Sequence, residues 1–179
     1  MSRSLISRYH RPMADAVDVI LEQWRQERPD LDASPMGVIG RISRLARHYE
    51  RAIAENFAPF ELGPDEFDLL ATLRRSGKPY ELKPSELLAT MMVSSATTTH
   101  RLDKLEARQL IERRPDPKDR RAVLVRLTPT GKKLVDRALA AHVAMEHRLL
   151  EGLDDAQRSA LAQLLRQLSE TNPGITGSG

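Results

Sequence analysis

A basic segment is the first feature of this sequence that could do chemistry. Between Arg108 and Arg126 there are seven basic residues and three acidic ones, a local balance of +4, although the 179-residue chain has a net charge of only +3. Clustered lysine and arginine side chains bind phosphate groups, so this segment predicts a polyanion-binding module. The alternative is a solvated charged loop without a ligand. The candidate DNA contacts here are Arg114, Lys118, Arg120 and Arg121.

The preceding residues, 94–107, form a second candidate surface. Ser94 is a good helix N-cap, and Thr98, Leu102 and Leu105 share one helical face, even though three consecutive threonines have poor helix propensity. The opposite face carries short polar groups of the kind that contact base edges and phosphates in a DNA major groove. A Ser/Thr-rich loop is the alternative. The candidate contacts in this segment are Ser94, Ser95, Thr97, Thr99, His100, Arg101 and Lys104.

The elements around these residues must place them on one surface. A short helix from Pro84 to about Thr90 precedes the polar helix, and two short strands at 110–114 and 122–127 follow it. The turn between the strands is rich in Pro, Asp and Arg. A short helix, a polar helix and a basic hairpin, in that order, predict a winged helix-turn-helix whose wing arginines enter a minor groove.

Long amphipathic helices flank this core on both sides. The periodicity predicts a first helix from about Pro12 to Glu27, a second that starts at Ser34-Pro35 and ends before Pro59, and a third from Gly63-Pro64 to Ser76-Gly77. Two more are predicted after Thr128-Pro129 and after Asp154. The terminal helices carry apolar stripes that need a surface to cover them, and a partner subunit in a twofold dimer would supply it. Packing within one chain is the alternative.

The predicted fold class is therefore mainly α with a small β-hairpin wing, a winged helix-turn-helix core with N- and C-terminal dimerisation helices. The expected organisation is an N-terminal arm at 1–33, a connecting and dimerisation helix at 34–62, the DNA-binding region at 63–128, C-terminal dimerisation helices at 129–170 and a flexible tail at 171–179.

Several function classes are disfavoured. The chain has no cysteine, which excludes disulfides, thiolate metal sites and cysteine nucleophiles. It shows no nucleophile elbow, phosphate-binding glycine loop or paired-carboxylate motif, so we expect no enzyme and no cofactor. His142 and His147 are five residues apart, unlike the spacing of three or four that suits two ligands on one helical face, which gives a metal sensor weak support. With no signal peptide and no apolar run of membrane length, a cytoplasmic protein is expected.

The run from Asp116 to Gly131, with its Asp- and Arg-rich wing, strand and Leu-Thr helix start, resembles the MarR family of bacterial transcription regulators. The resemblance covers the chain from about Pro35 to Leu168. It implies a homodimer that binds pseudo-palindromic promoter DNA and is released by a small molecule, commonly an aromatic acid. It also implies that residues 94–107 are the recognition helix and that Arg120 or Arg121 reaches the minor groove.

The extra N-terminal helix and the residues from Trp24 to Asp32 resemble a narrower group, the urate-responsive regulators. That resemblance implies a ligand site at Trp24, Asp68, Arg75 and Arg113, with an Asp68–Arg113 ion pair as the switch. Asp68 and Arg75 are seven residues apart, so they share a helical face. Packing by the tryptophan, a surface ion pair and a phosphate contact by Arg113 are the alternatives. The sequence does not choose between urate, phenolic acids and other carboxylic acids.

Two functions from different classes remain open. One is a ligand-responsive, sequence-specific transcription regulator, expected to repress. The other is a ligand-blind architectural nucleic-acid binder that uses the same wing, with a metal-responsive regulator of the same fold as a further variant. A specific regulator keeps tight binding to one operator at physiological salt, whereas a backbone-only binder weakens steeply as salt rises.

Overall fold

The structure, a computed structural model, describes residues 14–90, 98–119 and 122–172. The described part is mainly helical with one small antiparallel sheet, which confirms the predicted fold class. The helices are α1 (Ala16–Glu27), α2 (Pro35–Phe57), α3 (Pro64–Arg75), α4 (Pro84–Thr90), α5 (Thr98–Ala107), α6 (Pro129–Leu149) and α7 (Asp155–Glu170), and the strands are β1 (Glu81–Leu82), β2 (Ile111–Pro115) and β3 (Val123–Leu127). A single 3₁₀ turn, Ala58–Phe60, follows α2.

The sheet contains one strand that the sequence did not predict. The expected hairpin is present, with Ile111 opposite Leu127 and Pro115 opposite Val123. Strand β1 pairs with the other edge of β3, so the strand order is β1-β3-β2. A strand of two residues is too short to show the alternation on which sequence interpretation depends.

Helix boundaries follow their caps. The predicted start of α1 near Pro12 is wrong for the described residues, because Ala14 and Asp15 are not helical. Asp15 caps the helix instead, accepting hydrogen bonds from the backbone amides of Val17 and Asp18. The predicted caps Thr128 and Asp154 are confirmed, each with its side chain bonded to an amide of the first turn.

Some predictions lie outside the described residues. They are the N-cap Ser94, the candidate contacts Ser95 and Thr97, the wing residues Arg120 and Arg121, and the tail beyond residue 172.

The chain divides into two compact units, residues 1–51 and 52–179. The second holds the apolar core, whose fully buried members include Leu69, Leu70 and Leu73 of α3 and Leu105 of α5. The spacing of Phe67, Leu70 and Leu73 predicts one buried face of α3, and all three residues are buried. Gly131 brings the start of α6 against the Leu110 carbonyl, and a Cβ atom at that position would overlap this carbonyl.

Within the first unit, one arginine joins the two helices. The Arg41 guanidinium donates to Asp15 at 2.9 Å and to Asp18 at 2.7 Å, and also to the Gly37 carbonyl at 2.9 Å. Val17 is buried close to Gly40. The N-terminal arm is thus attached to α2 by hydrogen bonds from the Arg41 guanidinium and by a small apolar contact.

The helices at both ends of the chain leave apolar side chains in solvent. On α7 the exposed leucines are Leu161, Leu164, Leu165 and Leu168, and α7 has no buried residue. Val19, Ile20 and Trp24 of α1 are exposed as well. Among the described residues, no helix is both long enough and apolar enough to cross a bilayer.

Candidate DNA-binding surface

Helix α5 has the two faces that its sequence predicts. Leu102 and Leu105 are buried in the core, whereas Thr99, His100 and Asp103 are exposed. These exposed groups are short or planar and can donate and accept hydrogen bonds. The helix therefore presents a polar edge of suitable chemistry for a DNA major groove.

A third side of α5 is cationic and is turned toward the start of α3. Arg101 pairs with Asp65, and the Lys104 ammonium lies 2.7 Å from Glu66 Oε1. Arg108, just beyond the helix, donates to the Glu61 carbonyl at 2.7 Å. Two candidate DNA contacts, Arg101 and Lys104, thus already have acidic partners within the same chain.

Glu66 occupies a special position in this contact. Its side chain is only 7% exposed, and its second oxygen accepts the Gly63 amide at 2.9 Å in the capping box of α3. Burial opposes ionisation of the Glu66 carboxyl, but the hydrogen bonds from Lys104 and Gly63 together outweigh it and hold its pKa below its usual range. Glu66 is therefore a buried, ionised acceptor for the recognition helix.

Arg113 of β2 also binds α5. Its guanidinium is 2.7 Å from Asp103 and 2.5 Å from Glu106, and its backbone amide donates to Glu106 at 3.0 Å. Burial disfavours the charged form, yet these two carboxylates raise the Arg113 pKa above its usual range. Arg113 therefore links the root of the wing to the outer side of the helix.

The expected ion pair between Asp68 and Arg113 is wrong. Among the ion pairs of the described residues, Arg113 takes Asp103 and Glu106, and Asp68 takes Arg75 at 3.5 Å. Asp103 and Glu106 are closer to Arg113 in the sequence, and they bracket it from one helical face. The structure thus connects the recognition helix to Arg113 directly.

The proposed ligand residues fall in both units. Asp68 is buried and shares a face of α3 with Arg75, as their spacing predicts, and Arg75 also donates to the Thr90 carbonyl at 2.5 Å. Trp24 lies on α1 in the first unit and is 42% exposed. The carboxylate and guanidinium are therefore adjacent, whereas the contribution of Trp24 to the same site stays a prediction.

The wing is braced at its base and at its tip. Arg114 pairs with Glu81 of β1. Asp116 is buried and accepts the Lys118 amide at 2.8 Å, with the Lys83 ammonium at 3.6 Å. The backbone hydrogen bond from Lys118, ahead of the Lys83 charge, outweighs desolvation and lowers the Asp116 pKa. The Lys118 side chain is exposed, so this wing cation is accessible to a DNA phosphate.

Three of these residues escaped the sequence interpretation: Asp65, Glu66 and Asp116. The first two were visible only as acidic residues in the first turn of a helix, where the helix dipole alone explains them. The useful signal was the spacing of Arg101, Lys104 and Arg108, which puts three cations on one side of α5. That pattern is compatible with carboxylates or with phosphate groups opposite it.

His142 lies beside the stacked rings of Phe57 and Phe67, with its centroid 5.1 Å from Phe57 and 5.2 Å from Phe67, and its Nε2 atom is 3.2 Å from Glu146. His147 is exposed. In the part of the chain that the structure describes, no three His, Asp or Glu residues are grouped as a metal site would require. His142 thus has packing contacts, and neither histidine of α6 belongs to a metal-ligand group among the described residues.

Comparison with known proteins agrees with this architecture. Residues 62–123 match the family model described as MarR family. The chain is 40% identical over 154 residues to the HTH-type transcriptional regulator PecS of Dickeya dadantii, covering 86% of this chain and 93% of that protein. It is 31% identical over 150 residues to the HTH-type transcriptional repressor NicR of Pseudomonas putida, covering 80% and 93%.

A solved structure gives a similar result. Bordetella bronchiseptica BpsR, whose DNA binding is regulated by 6-hydroxynicotinic acid, superimposes with a TM-score of 0.63 at 29% sequence identity. The match covers 73% of this chain and 92% of that one.

Proposed function

The chain belongs to the MarR family of winged-helix, DNA-binding transcription regulators, and from that premise we propose that it is a homodimeric repressor of a pseudo-palindromic operator, released by a small aromatic or anionic ligand. The observation that carries the proposal is the exposed polar edge of α5, Thr99, His100 and Asp103, on a helix whose other face is buried in the core. A helix held in this way can enter a major groove as a rigid unit.

In this proposal the two DNA-contacting elements have different roles. The edge of α5 around Thr99 and His100 reads base edges, and Ser94, Ser95 and Thr97, which lie outside the described residues, are proposed as further DNA contacts. Lys118, Arg120 and Arg121 of the wing bind phosphates and the minor groove, because guanidinium groups favour its negative potential. The remaining candidates, Arg101, Lys104 and Arg114, would have to leave acidic partners to bind DNA.

Dimerisation is supported by the exposed apolar faces of the terminal helices. Four leucines on one side of α7 are exposed, and so are Val19 and Ile20 of α1. Exposed apolar surface of this extent marks an interaction site. A second copy is the simplest occupant, since a twofold dimer places two recognition helices on the half-sites of a palindromic operator.

The ligand is proposed to bind near Asp68 and Arg75, and the predicted contribution of Trp24 is tested separately below. Arg75 can bind the anionic group of an aromatic acid, and the Asp68 carboxylate beside it would be repelled by the same anion. Binding would then shift the equilibrium between DNA-bound and free forms. BpsR, a relative that responds to 6-hydroxynicotinic acid, supports this ligand class.

The test begins with DNA. We would select the preferred duplex from a random pool and measure its affinity, against a scrambled duplex, from low to physiological salt. The proposal expects a preference of at least about a thousandfold that persists at physiological salt. His100→Ala should change which operator is preferred, whereas Arg121→Ala should weaken binding to all sequences. Loss of preference at physiological salt would instead identify a ligand-blind architectural binder.

Ligand release is tested with the only tryptophan of the chain. We would follow Trp24 fluorescence while adding urate, 6-hydroxynicotinic acid and a panel of phenolic acids. The active compound should quench the fluorescence saturably and release the selected operator over the same concentration range. Trp24→Phe should retain DNA binding and reduce release. Normal release from that variant would place the ligand elsewhere.

A further inference from the structure

We infer that Asp65 and Glu66 of α3 position the recognition helix, and that Arg101 and Lys104 act as their internal ion-pair partners rather than as DNA phosphate contacts. The inference rests on the proposed function, because it takes α5 as the helix that reads DNA. It assigns a positioning role to Asp65 and Glu66. It also makes Arg101 and Lys104 partners of these carboxylates instead of DNA contacts.

The spacing of the cations separates them from Thr99 and Asp103 of the proposed reading edge. At about 100° per residue, Arg101, Lys104 and Arg108 fall within about 60° of one another around α5 and its continuation. Thr99 and Asp103 lie at least about 100° away from these cations, and His100 lies between Asp103 and Lys104. The cationic side borders the buried side, where it meets the first turn of α3 and the segment before it.

The Glu66 carboxylate cannot follow its cation into solvent. Glu66 is buried and accepts the Gly63 amide through its second oxygen, so its carboxylate is anchored to the start of its own helix. If Lys104 left for a phosphate, a buried carboxylate would lose its cation, which is a costly change. The phosphate would also approach that carboxylate, and the like charges would repel.

Arg101 is similarly engaged. It pairs with Asp65, and its NH1 nitrogen is inaccessible to solvent. A guanidinium with a buried nitrogen is poorly placed to bind DNA without rearrangement. Together the two pairs attach α5 to α3 one turn apart, which limits rotation of α5 about its own axis and so determines what Thr99 and His100 present.

The experiment uses Lys104→Gln, Glu66→Gln and the double variant, with Lys118→Gln as a matched control on the exposed wing. Glu66→Gln keeps an oxygen that can accept the Gly63 amide, so the capping box survives. Operator affinity is measured for each protein over a series of KCl concentrations. Circular dichroism verifies that each variant is folded.

We expect each single variant to weaken operator binding by about tenfold and the double variant to be no weaker than the worse single one, because both remove the same interaction. The salt dependence should be unchanged for all three, whereas Lys118→Gln should reduce its slope by about 0.9, the value for one lost phosphate contact. The charge-reversed pair, Glu66→Lys with Lys104→Glu, should recover part of the lost affinity.

Two results would overturn the inference. One is a salt slope reduced by about 0.9 in Lys104→Gln, together with tighter binding in Glu66→Gln; Lys104 would then be a phosphate contact that Glu66 restrains. The other is additive single effects on operator affinity. A double-variant cycle on urea unfolding without DNA measures the ion pair separately. If the wild type has no operator preference, the proposed function fails, while this cycle still reports whether Glu66 and Lys104 are coupled.

Discussion

The winged core and the terminal helices use their apolar residues in opposite ways. In the core, α3 and α5 bury their leucines completely or nearly so, and Phe57 and Val135 are buried with them. By contrast, α7 has no buried residue, and α1 has only Val17. The helices of both regions have amphipathic sequences. The difference shows that the apolar core forms within one chain, and it supports the proposal that the terminal helices pack against a second copy.

The largest expected effect follows from shortening a core leucine. Leu70→Ala removes a side chain that is 0% exposed, and the cavity should lower the free energy of unfolding by about 2 to 5 kcal/mol. Urea unfolding measures this. Leu88→Ala on exposed α4 is the matched control and should stay within about 0.5 kcal/mol of wild type. Equal losses in both would contradict the contrast between buried and exposed leucines.

The terminal helices should respond through assembly. Leu164 is 63% exposed, so Leu164→Glu should leave the fold of one chain intact and weaken the dimer by about tenfold or more, because a charge replaces an apolar contact across the interface. Analytical ultracentrifugation measures the dissociation constant. Gln163→Glu adds the same charge one position away and should change the dissociation constant of the dimer little. A dimer that tolerates Leu164→Glu would exclude this face from the interface.

A smaller effect is expected at the polar attachment of α1. Arg41→Ala removes the hydrogen bonds to Asp15 and Asp18, so α1 should separate from α2 more often and its amides should exchange hydrogen faster. Exchange of the core amides should be unchanged. Arg44 has no ion pair among the described residues, which makes Arg44→Ala the control. If the α1 amides of Arg41→Ala still exchanged slowly, the apolar contacts of α1 would be sufficient to hold it against α2.

The smallest effect should appear in the wing tip, where the Asp116 carboxylate accepts the Lys118 amide. The folded pKa of Asp116 is depressed below 3.8, so its stabilisation of the tip is present above pH 3.8 and is lost as the pH falls through the folded pKa. We expect the Lys118 amide resonance to shift with a midpoint below pH 3.8. In Asp116→Asn that transition should vanish. A wild-type midpoint at or above 3.8 would contradict the assignment.

Much of the fold was predictable because it depends on local patterns. The stripe Phe67, Leu70 and Leu73 and the proline-started α4 follow from periodicity and capping, which act over a few residues. Strand β1 escaped because two residues carry no period. It exists because Glu81 and Leu82 pair with a strand about 45 residues later, a contact that no local pattern encodes.

The candidate site also has one part that local sequence patterns predict and another that depends on contacts between distant residues. The outward face of α5 follows from helical geometry, so Thr99 and His100 were identified correctly as exposed. The partners of its cations were not identified, because an arginine is compatible with a phosphate or a carboxylate, and only neighbours in space decide between them. The same holds for Arg113, which was matched to Asp68 and instead binds Asp103 and Glu106.

The sequence by itself determined the winged-helix core, the basic wing and the amphipathic helices at both ends, since residue type and spacing suffice for these. Only the tertiary structure decided which charges meet: Glu66 with Lys104, Asp65 with Arg101, and Arg113 with the outer side of α5. The physical reason is that burial patterns repeat along the chain and can be read from it. Ion pairs join residues of different helices and strands, and their geometry exists only once these elements have packed.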